Sequence, residues 1–140
     1  MSYYQDIILQ HARCPCGLGA VPGATQKATG SNPLCGDMVE IFAKKNDAGA
    51  VFFGFESQGC ALCRASASIL IGEVNGKTVP EISDWLSLLI PEFKKLVALE
   101  SPPWSANVAA LSDMRRYPSR LSCVLLPWET MQKTLTLLAY

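Results

Sequence analysis

The stretch MVEIFAKK-NDAG-AVFFGFE, residues 38–56, decides the fold of this 140-residue chain. Its centre, Asn46-Asp47-Ala48-Gly49, has the residues of a tight reversal, and the runs on either side are rich in Val, Ile and Phe. Two such runs around a short polar turn are typical of a β-hairpin. The stretch therefore predicts two antiparallel strands, Met38–Lys45 and Ala50–Glu56.

A cysteine lies beyond each end of this hairpin, Cys35 before it and Cys60 after it. If the turn is centred near residues 47 and 48, residues whose numbers sum to about 95 face each other, and Cys35 then faces Cys60. Paired α-carbons lie roughly 4.5–5.5 Å apart, close enough for two thiolates and the carboxylate of Asp37 to share one metal. Because thiolates suit zinc and iron–sulfur clusters, we expect a site for one of these.

The residues around Cys60 leave two other interpretations open. Cys60 follows Gly59 at a predicted strand-to-helix junction, where the free N–H groups of a helix start favour a thiolate. Taken alone, Cys60 would more often be a buried structural thiol. Cys63 lies one helical turn further on and could replace Asp37 as a ligand, but a small core residue is the better interpretation.

The remaining cysteines predict neither a disulfide framework nor a second metal site. The first six residues lack the basic start and apolar run of a signal peptide, and the chain is long enough to fold without disulfides. Cys14 and Cys16 are too closely spaced for an easy bidentate site, which indicates surface or turn thiols. His11, the only histidine, is expected to have a plain role at a helix end.

Composition predicts a single globular domain over residues 1–140. A hydrophobic content of 49% with 17% charged residues favours a packed core over a disordered chain. Twelve basic and twelve acidic residues cancel without forming a basic stripe, so we expect neither a nucleic acid nor a membrane as partner. The longest apolar runs are too short to span a bilayer. We therefore expect a cytoplasmic location.

Helical patterns surround the hairpin. The predicted elements are a helix at Tyr3–Arg13, a short strand at Ala24–Ala28, a helix from Cys60 to near Asn75, one at Pro80–Ile90 that Pro91–Leu99 could extend, a short helical piece at Val108–Leu111, and a last helix from Tyr117 towards Leu138. Pro127 lies inside the last helix and removes one backbone hydrogen bond, so a kink or a restart is expected there. The predicted class is α+β, with a small antiparallel sheet of two to three strands packed against about five helices.

Three cysteine motifs follow one another along the chain: Asn32-Pro33-Leu34-Cys35-Gly36-Asp37, Gly59-Cys60 followed by Ala65-Ser66-Ala67-Ser68, and Tyr117-Pro118-Ser119-Arg120-Leu121-Ser122-Cys123. In this order they resemble the motifs of the IscU/SufU/NifU N-terminal family of iron–sulfur cluster assembly proteins. The likeness covers nearly the whole chain. The long interval between Cys60 and Cys123 resembles the SufU branch.

The resemblance implies a metal centre formed by Cys35, Asp37, Cys60 and Cys123. It implies zinc at this centre if the chain is SufU-like, and a transient 2Fe–2S cluster if it is IscU-like. It also implies that Cys35 accepts persulfide sulfur from a SufS-like cysteine desulfurase, and that iron–sulfur apoproteins or carriers act downstream. The expected function is a scaffold or zinc-dependent sulfur acceptor, an accessory protein rather than a free-standing enzyme. The alternative is a structural zinc-binding protein with no role in sulfur transfer.

The sequence departs from the family pattern just before its last cysteine. Ser122 stands where IscU proteins have a histidine and SufU proteins usually have a lysine. The preceding residues, Arg116–Arg120, do not match the chaperone-recognition segment of IscU proteins. The resemblance therefore gives no expectation of a chaperone partner.

Overall fold

The computed structural model describes residues 3–33, 36–95 and 105–139. Within these ranges the chain forms a three-stranded antiparallel sheet and five α-helices. The strands are β1 (Gln26–Asn32), β2 (Asp37–Lys45) and β3 (Val51–Gln58), in that order across the sheet. The helices are α1 (Tyr3–Arg13), α2 (Ala61–Val74), α3 (Val79–Phe93), α4 (Ala106–Ser112) and α5 (Pro118–Leu138), and a short 3-10 turn, Asp113–Arg116, leads into α5. The predicted α+β class is confirmed.

The helices begin and end close to the predicted residues. Helix α1 spans the predicted range, and α3 starts after its cap Thr78 and ends at Phe93, beyond the predicted Ile90. From residue 96 onward, the predicted extension towards Leu99 lies outside the described residues. None of the described helices is long and apolar enough to cross a membrane.

Strand β1 lies later in the chain than predicted. The Ala24 N–H donates to the Val21 carbonyl at 3.1 Å, so this segment turns before the strand begins at Gln26. The strand then continues to Asn32, which pairs with Asp37 at the start of β2. This pairing fixes Asp37 at one end of the sheet.

The register of the β2–β3 hairpin differs by one residue from the prediction. Ile41 faces Phe55, so each β2 residue pairs one position later in β3 than expected. The turn explains the shift. The Asn46 N–H donates to the Ala50 carbonyl at 2.9 Å, so these two residues face each other and the turn is centred on Ala48. Asn46 Oδ1 stabilises this turn by accepting hydrogen bonds from the N–H groups of Ala48 and Ala50. The predicted pairing of Cys35 with Cys60 is therefore wrong as an extension of this hairpin.

The core lies between one face of the sheet and the helices. Helix α5 packs on β1 and β2, and α2 packs on β3. A side chain at Gly30 would collide with Thr130 Oγ1 and crowd Leu126, so the glycine permits close contact between β1 and α5. The largest fully buried side chains are Trp128, Phe55, Phe93, Ile41, Ile69, Leu70, Ile71, Ile82, Leu86, Leu89, Leu111 and Met131.

Helix α5 passes through Pro127 as one helix, so the predicted restart is wrong. The proline cannot donate the hydrogen bond that an ordinary residue would give to the Cys123 carbonyl. At the next carbonyl, Val124, the Ser66 hydroxyl of α2 donates a hydrogen bond of 2.7 Å. A side chain from a neighbouring helix thus supports α5 beside the proline.

The two edges of the sheet differ. The β3 edge is covered by the segment after α1, since the Gly19 N–H donates to the Phe55 carbonyl at 2.7 Å and the Phe55 N–H donates to the Gly17 carbonyl at 2.8 Å. Gly54 leaves room for this crossing, because a side chain there would collide with the Gly19 carbonyl. In the described part of the chain, β1 pairs with β2 and with no second strand.

Candidate metal centre

Three predicted ligands meet at one end of the sheet. One ligand atom each from Asp37, Cys60 and Cys123 lies within 4.8 Å of the other two. Asp37 is the first residue of β2, Cys60 immediately precedes α2, and Cys123 lies in the second turn of α5. The site therefore depends on how the sheet and two separate helices pack against one another.

Asp37 is held by the residues just before α2. Its Oδ1 accepts a hydrogen bond of 2.8 Å from the Cys60 N–H, and its Oδ2 lies 3.4 Å from the Cys60 sulfur. The Asp37 side chain is almost completely buried. Gly59 is required here for two reasons: its φ of +115° is one that other residues rarely adopt, and a side chain would collide with the Asp37 carboxylate.

Cys60 is the N-cap of α2. Its backbone is extended, and its sulfur accepts a hydrogen bond of 3.4 Å from the Cys63 N–H. The local structure therefore directs the Cys60 sulfur towards Asp37.

Cys123 is fixed through a buried hydrogen-bond network between α2 and α5. The indole Nε1–H of Trp128 donates to Ser66 Oγ at 2.9 Å, and Ser66 Oγ donates to the Val124 carbonyl at 2.7 Å. Ser66, Val124 and Trp128 are fully buried. Because Val124 follows Cys123 and α2 begins just after Cys60, this network sets the relative position of the two cysteines.

The donor set fits a metal ion. Asp37 and Cys123 are only 1% and 4% exposed, and anionic groups this close and this buried would repel each other strongly without a cation. Ligand atoms around a tetrahedral zinc lie up to about 3.8 Å apart, given Zn–S bonds of about 2.3 Å. The separations, which reach at most 4.8 Å, are therefore within about 1 Å of those around a tetrahedral zinc. Three protein ligands leave one position of a tetrahedral ion for a fourth.

The fourth predicted ligand, Cys35, lies outside the described residues. The chain on either side of it is closed by a hydrogen bond of 2.8 Å from the Gly36 N–H to the Asn32 carbonyl. Cys35 is two residues from Asp37 in the sequence, a separation that a chain spans in about 7 Å at most. Its place in the centre stays a prediction.

The other cysteines lie where the sequence predicts. Cys14 and Cys16 are exposed, while Cys63 is buried and belongs to the hydrophobic core. The sequence reasoning did not assign a role to Ser66 or to Trp128. A signal was available in principle, because a serine inside an apolar helix needs a buried hydrogen-bond partner.

His11 has a partner on α2 as well. Its Nδ1 lies 2.6 Å from Ser68 Oγ, which also accepts a hydrogen bond of 2.8 Å from the Cys16 N–H. Burial lowers the pKa of His11, while a hydrogen bond with Asn107 and the charge of Glu73 act in the opposite direction. This contact attaches the end of α1 to α2, as expected for a histidine at a helix end.

The chain is similar to proteins of one family over nearly its whole length. The family model of the NifU-like N-terminal domain matches residues 3–133. The iron–sulfur cluster assembly scaffold protein IscU of Thermotoga maritima is 32% identical, over 94% of this chain and 92% of that protein. The zinc-dependent sulfurtransferase SufU of Bacillus subtilis is 24% identical, over 93% of this chain and 87% of that protein.

Solved structures show the same fold. The N-terminal part of a NifU-like protein from Brucella abortus superposes with a TM-score of 0.77 at 26% identity, over 95% of this chain and 92% of that one. A SufU structure from Fervidobacterium islandicum gives a TM-score of 0.75 at 26% identity, over 96% of both chains. Both the IscU and the SufU branch are therefore represented among the similar proteins.

Proposed function

The chain belongs to the NifU-like N-terminal domain family, and on that premise we propose that it is an iron–sulfur cluster assembly protein. It acts as a scaffold, as a zinc-dependent sulfur acceptor for a cysteine desulfurase, or as both in turn. The observation that carries the proposal is the convergence of Asp37, Cys60 and Cys123. Iron–sulfur apoproteins or carriers are the proposed recipients, and the cytoplasm is the proposed location.

Each ligand has a separate role in this proposal. Cys60 and Cys123 provide sulfurs held by α2 and α5, and Asp37 provides an oxygen anchored by the Cys60 N–H at 2.8 Å. Cys35 completes a set of four. A zinc ion bound at this site would keep its thiolate ligands deprotonated at neutral pH. A nascent cluster is the cargo of a scaffold and would use the same ligands.

We assign sulfur acceptance to Cys35. The Cys35 thiolate attacks the outer sulfur of the desulfurase persulfide, the sulfur–sulfur bond breaks, and the desulfurase cysteine leaves as a thiolate. One sulfur atom is transferred, and no external oxidant or reductant is needed. Cys60 and Cys123 are fixed by hydrogen bonding and burial, whereas Cys35 lies between Pro33 and Gly36, residues that favour a turn. Cys35 would therefore be the ligand that leaves a bound metal at least cost.

Mass spectrometry tests this assignment. After incubation with a cysteine desulfurase and cysteine, we expect the additional sulfur on Cys35, and Cys35→Ser should abolish acceptance. Cys16→Ser is the control, because Cys16 is an exposed thiol outside the centre, and it should accept sulfur normally. Sulfur that appears on Cys14, Cys16 or Cys63 and persists in Cys35→Ser would contradict the mechanism.

Removal of the metal distinguishes the proposed assembly function from a purely structural role of zinc. The core consists mainly of large apolar side chains such as Trp128, Phe55 and Phe93, so the chelated protein should remain folded by circular dichroism. Anaerobic addition of iron and sulfide should then produce the absorption of a cluster. Unfolding on chelation, with no cluster formed afterwards, would favour a structural zinc protein instead.

Asp37→Ala is a second test that distinguishes the proposed assembly function from a structural zinc protein. The change removes one oxygen ligand and one negative charge but leaves the thiolates in place. We expect metal to remain bound, with an altered rate of exchange to a chromophoric chelator. Loss of both metal and fold in this variant would support the structural role.

A further inference from the structure

A groove of about 450 Å³ lies beside the metal centre, between the end of β1 and about the first three turns of α5. Ser31, Asn32 and Pro33 form the wall on the sheet side. Asn32 pairs with the ligand Asp37, and Ser122, which lines the opposite wall, immediately precedes Cys123. One end of the groove is therefore formed by residues adjacent to two of the proposed ligands.

Strand β1, which borders this groove, pairs only with β2 among the described residues. The opposite edge of the sheet is bridged by Leu18 against Phe55. An edge strand presents unpaired backbone N–H and C=O groups that can accept another strand. Addition of an extended peptide to such an edge is a recurring mode of recognition, in which pockets for alternate side chains provide specificity.

The helical wall of the groove determines which side chains such a peptide would carry. Leu121 and Leu126 are partly exposed and give this wall an apolar surface. Glu129 is the one ionisable residue that lines the groove. It is exposed and forms no ion pair with any residue of the described chain, so the complementary group is a cation.

We propose that β1 and α5 bind an extended segment of a partner protein, which joins the sheet beside β1. This segment places apolar side chains over Leu121 and Leu126 and a lysine or arginine opposite Glu129. One end of the bound segment then lies at Asn32 and Ser122, the neighbours of Asp37 and Cys123. Binding at this groove does not require the metal, so it can be tested separately from the proposed function.

Peptide titration of the isotope-labelled full-length chain, followed by NMR, tests the proposal. The probe is a capped octapeptide in which valine alternates with threonine, with the last valine replaced by lysine. Its counterpart carries glutamate at that position. We expect the lysine peptide to shift the resonances of β1 and of residues 121–129, and to bind about fivefold more tightly than the glutamate peptide.

A charge reversal provides the control. Glu129→Lys should reverse the preference between the two peptides, while Glu56→Lys, at an exposed site on β3, should leave it unchanged. Equal affinity of the two peptides for the wild-type chain would overturn the proposal. The proposal would also be overturned if binding of neither peptide reached saturation, or if the resonances that shift belonged to α1 and the residues around Tyr117 instead of β1.

Discussion

Ser66 and Ser68 are two residues apart on α2 and both are fully buried, but they join this helix to different parts of the molecule. Ser66 bonds to Val124 and Trp128 of α5, whereas Ser68 contacts His11 of α1 and the N–H of Cys16. Two steps along a helix rotate the side chain by about 200°, which explains why their partners lie on opposite sides. One helix thus positions Cys123, a proposed metal ligand, through one serine and attaches the N-terminal helix through the other.

The contacts of Ser66 and Ser68 differ in their accessibility to water. The partners of Ser66 are fully buried, with Trp128 also packed against Trp85 and Phe93 at ring-centroid distances of 5.3 and 5.0 Å. Helix α1, in contrast, has no buried residue. A polar group that loses its partner in dry surroundings cannot bond to water instead. The Ser66 network should therefore matter more for stability and for the proposed metal centre.

The largest effect is expected for Ser66→Ala. The change leaves the indole N–H of Trp128 without its acceptor and the Val124 carbonyl without a donor from α2, which should lower the free energy of unfolding by about 2–3 kcal/mol. Zinc affinity should also decrease, because the network positions Cys123. Urea unfolding and a competition titration with a chelator measure the two quantities. Unchanged zinc affinity would show that the network does not position Cys123 for zinc binding.

Ser68→Ala is the matched change on the other side of the same helix. It removes an acceptor from the Cys16 N–H and a hydroxyl from His11, both partly accessible to water, so the expected loss of stability is about 1 kcal/mol. Zinc affinity should stay at the wild-type value. If Ser68→Ala weakened zinc binding as much as Ser66→Ala, the separate roles of the two serines would be contradicted.

The smallest effect concerns pH and His11. Its pKa in the folded chain is lowered, chiefly by burial, so the unfolded chain takes up a proton first as the pH falls below about 6.5. This contribution therefore destabilises the folded chain at acidic pH and disappears above that range. His11→Asn keeps a polar group but does not titrate. When the pH falls from 7.5 to 5, the free energy of unfolding of this variant should decrease less than that of the wild type. The difference between the two decreases should be under about 1 kcal/mol, because His11 is only partly buried.

The elements could be predicted from local sequence, and the contacts between them could not. The hairpin and the helices follow from periodicity, but the register differs by one residue from the prediction because the turn between Asn46 and Ala50 is centred on Ala48. Asp37, Cys60 and Cys123 were predicted as ligands from a family resemblance combined with the hairpin. The bond from Ser66 to Trp128 joins residues 62 positions apart, and no local pattern encodes such a contact.

Zinc content of two buried-cysteine variants tests the central claim most directly. Cys123 and Cys63 are both buried, but only Cys123 belongs to the group of converging ligands found in the described chain. Elemental analysis of zinc-loaded, folded protein should give about one zinc per chain for the wild type and for Cys63→Ala, and little or none for Cys123→Ala. Full zinc content in Cys123→Ala, or its loss in Cys63→Ala alone, would contradict the proposed centre.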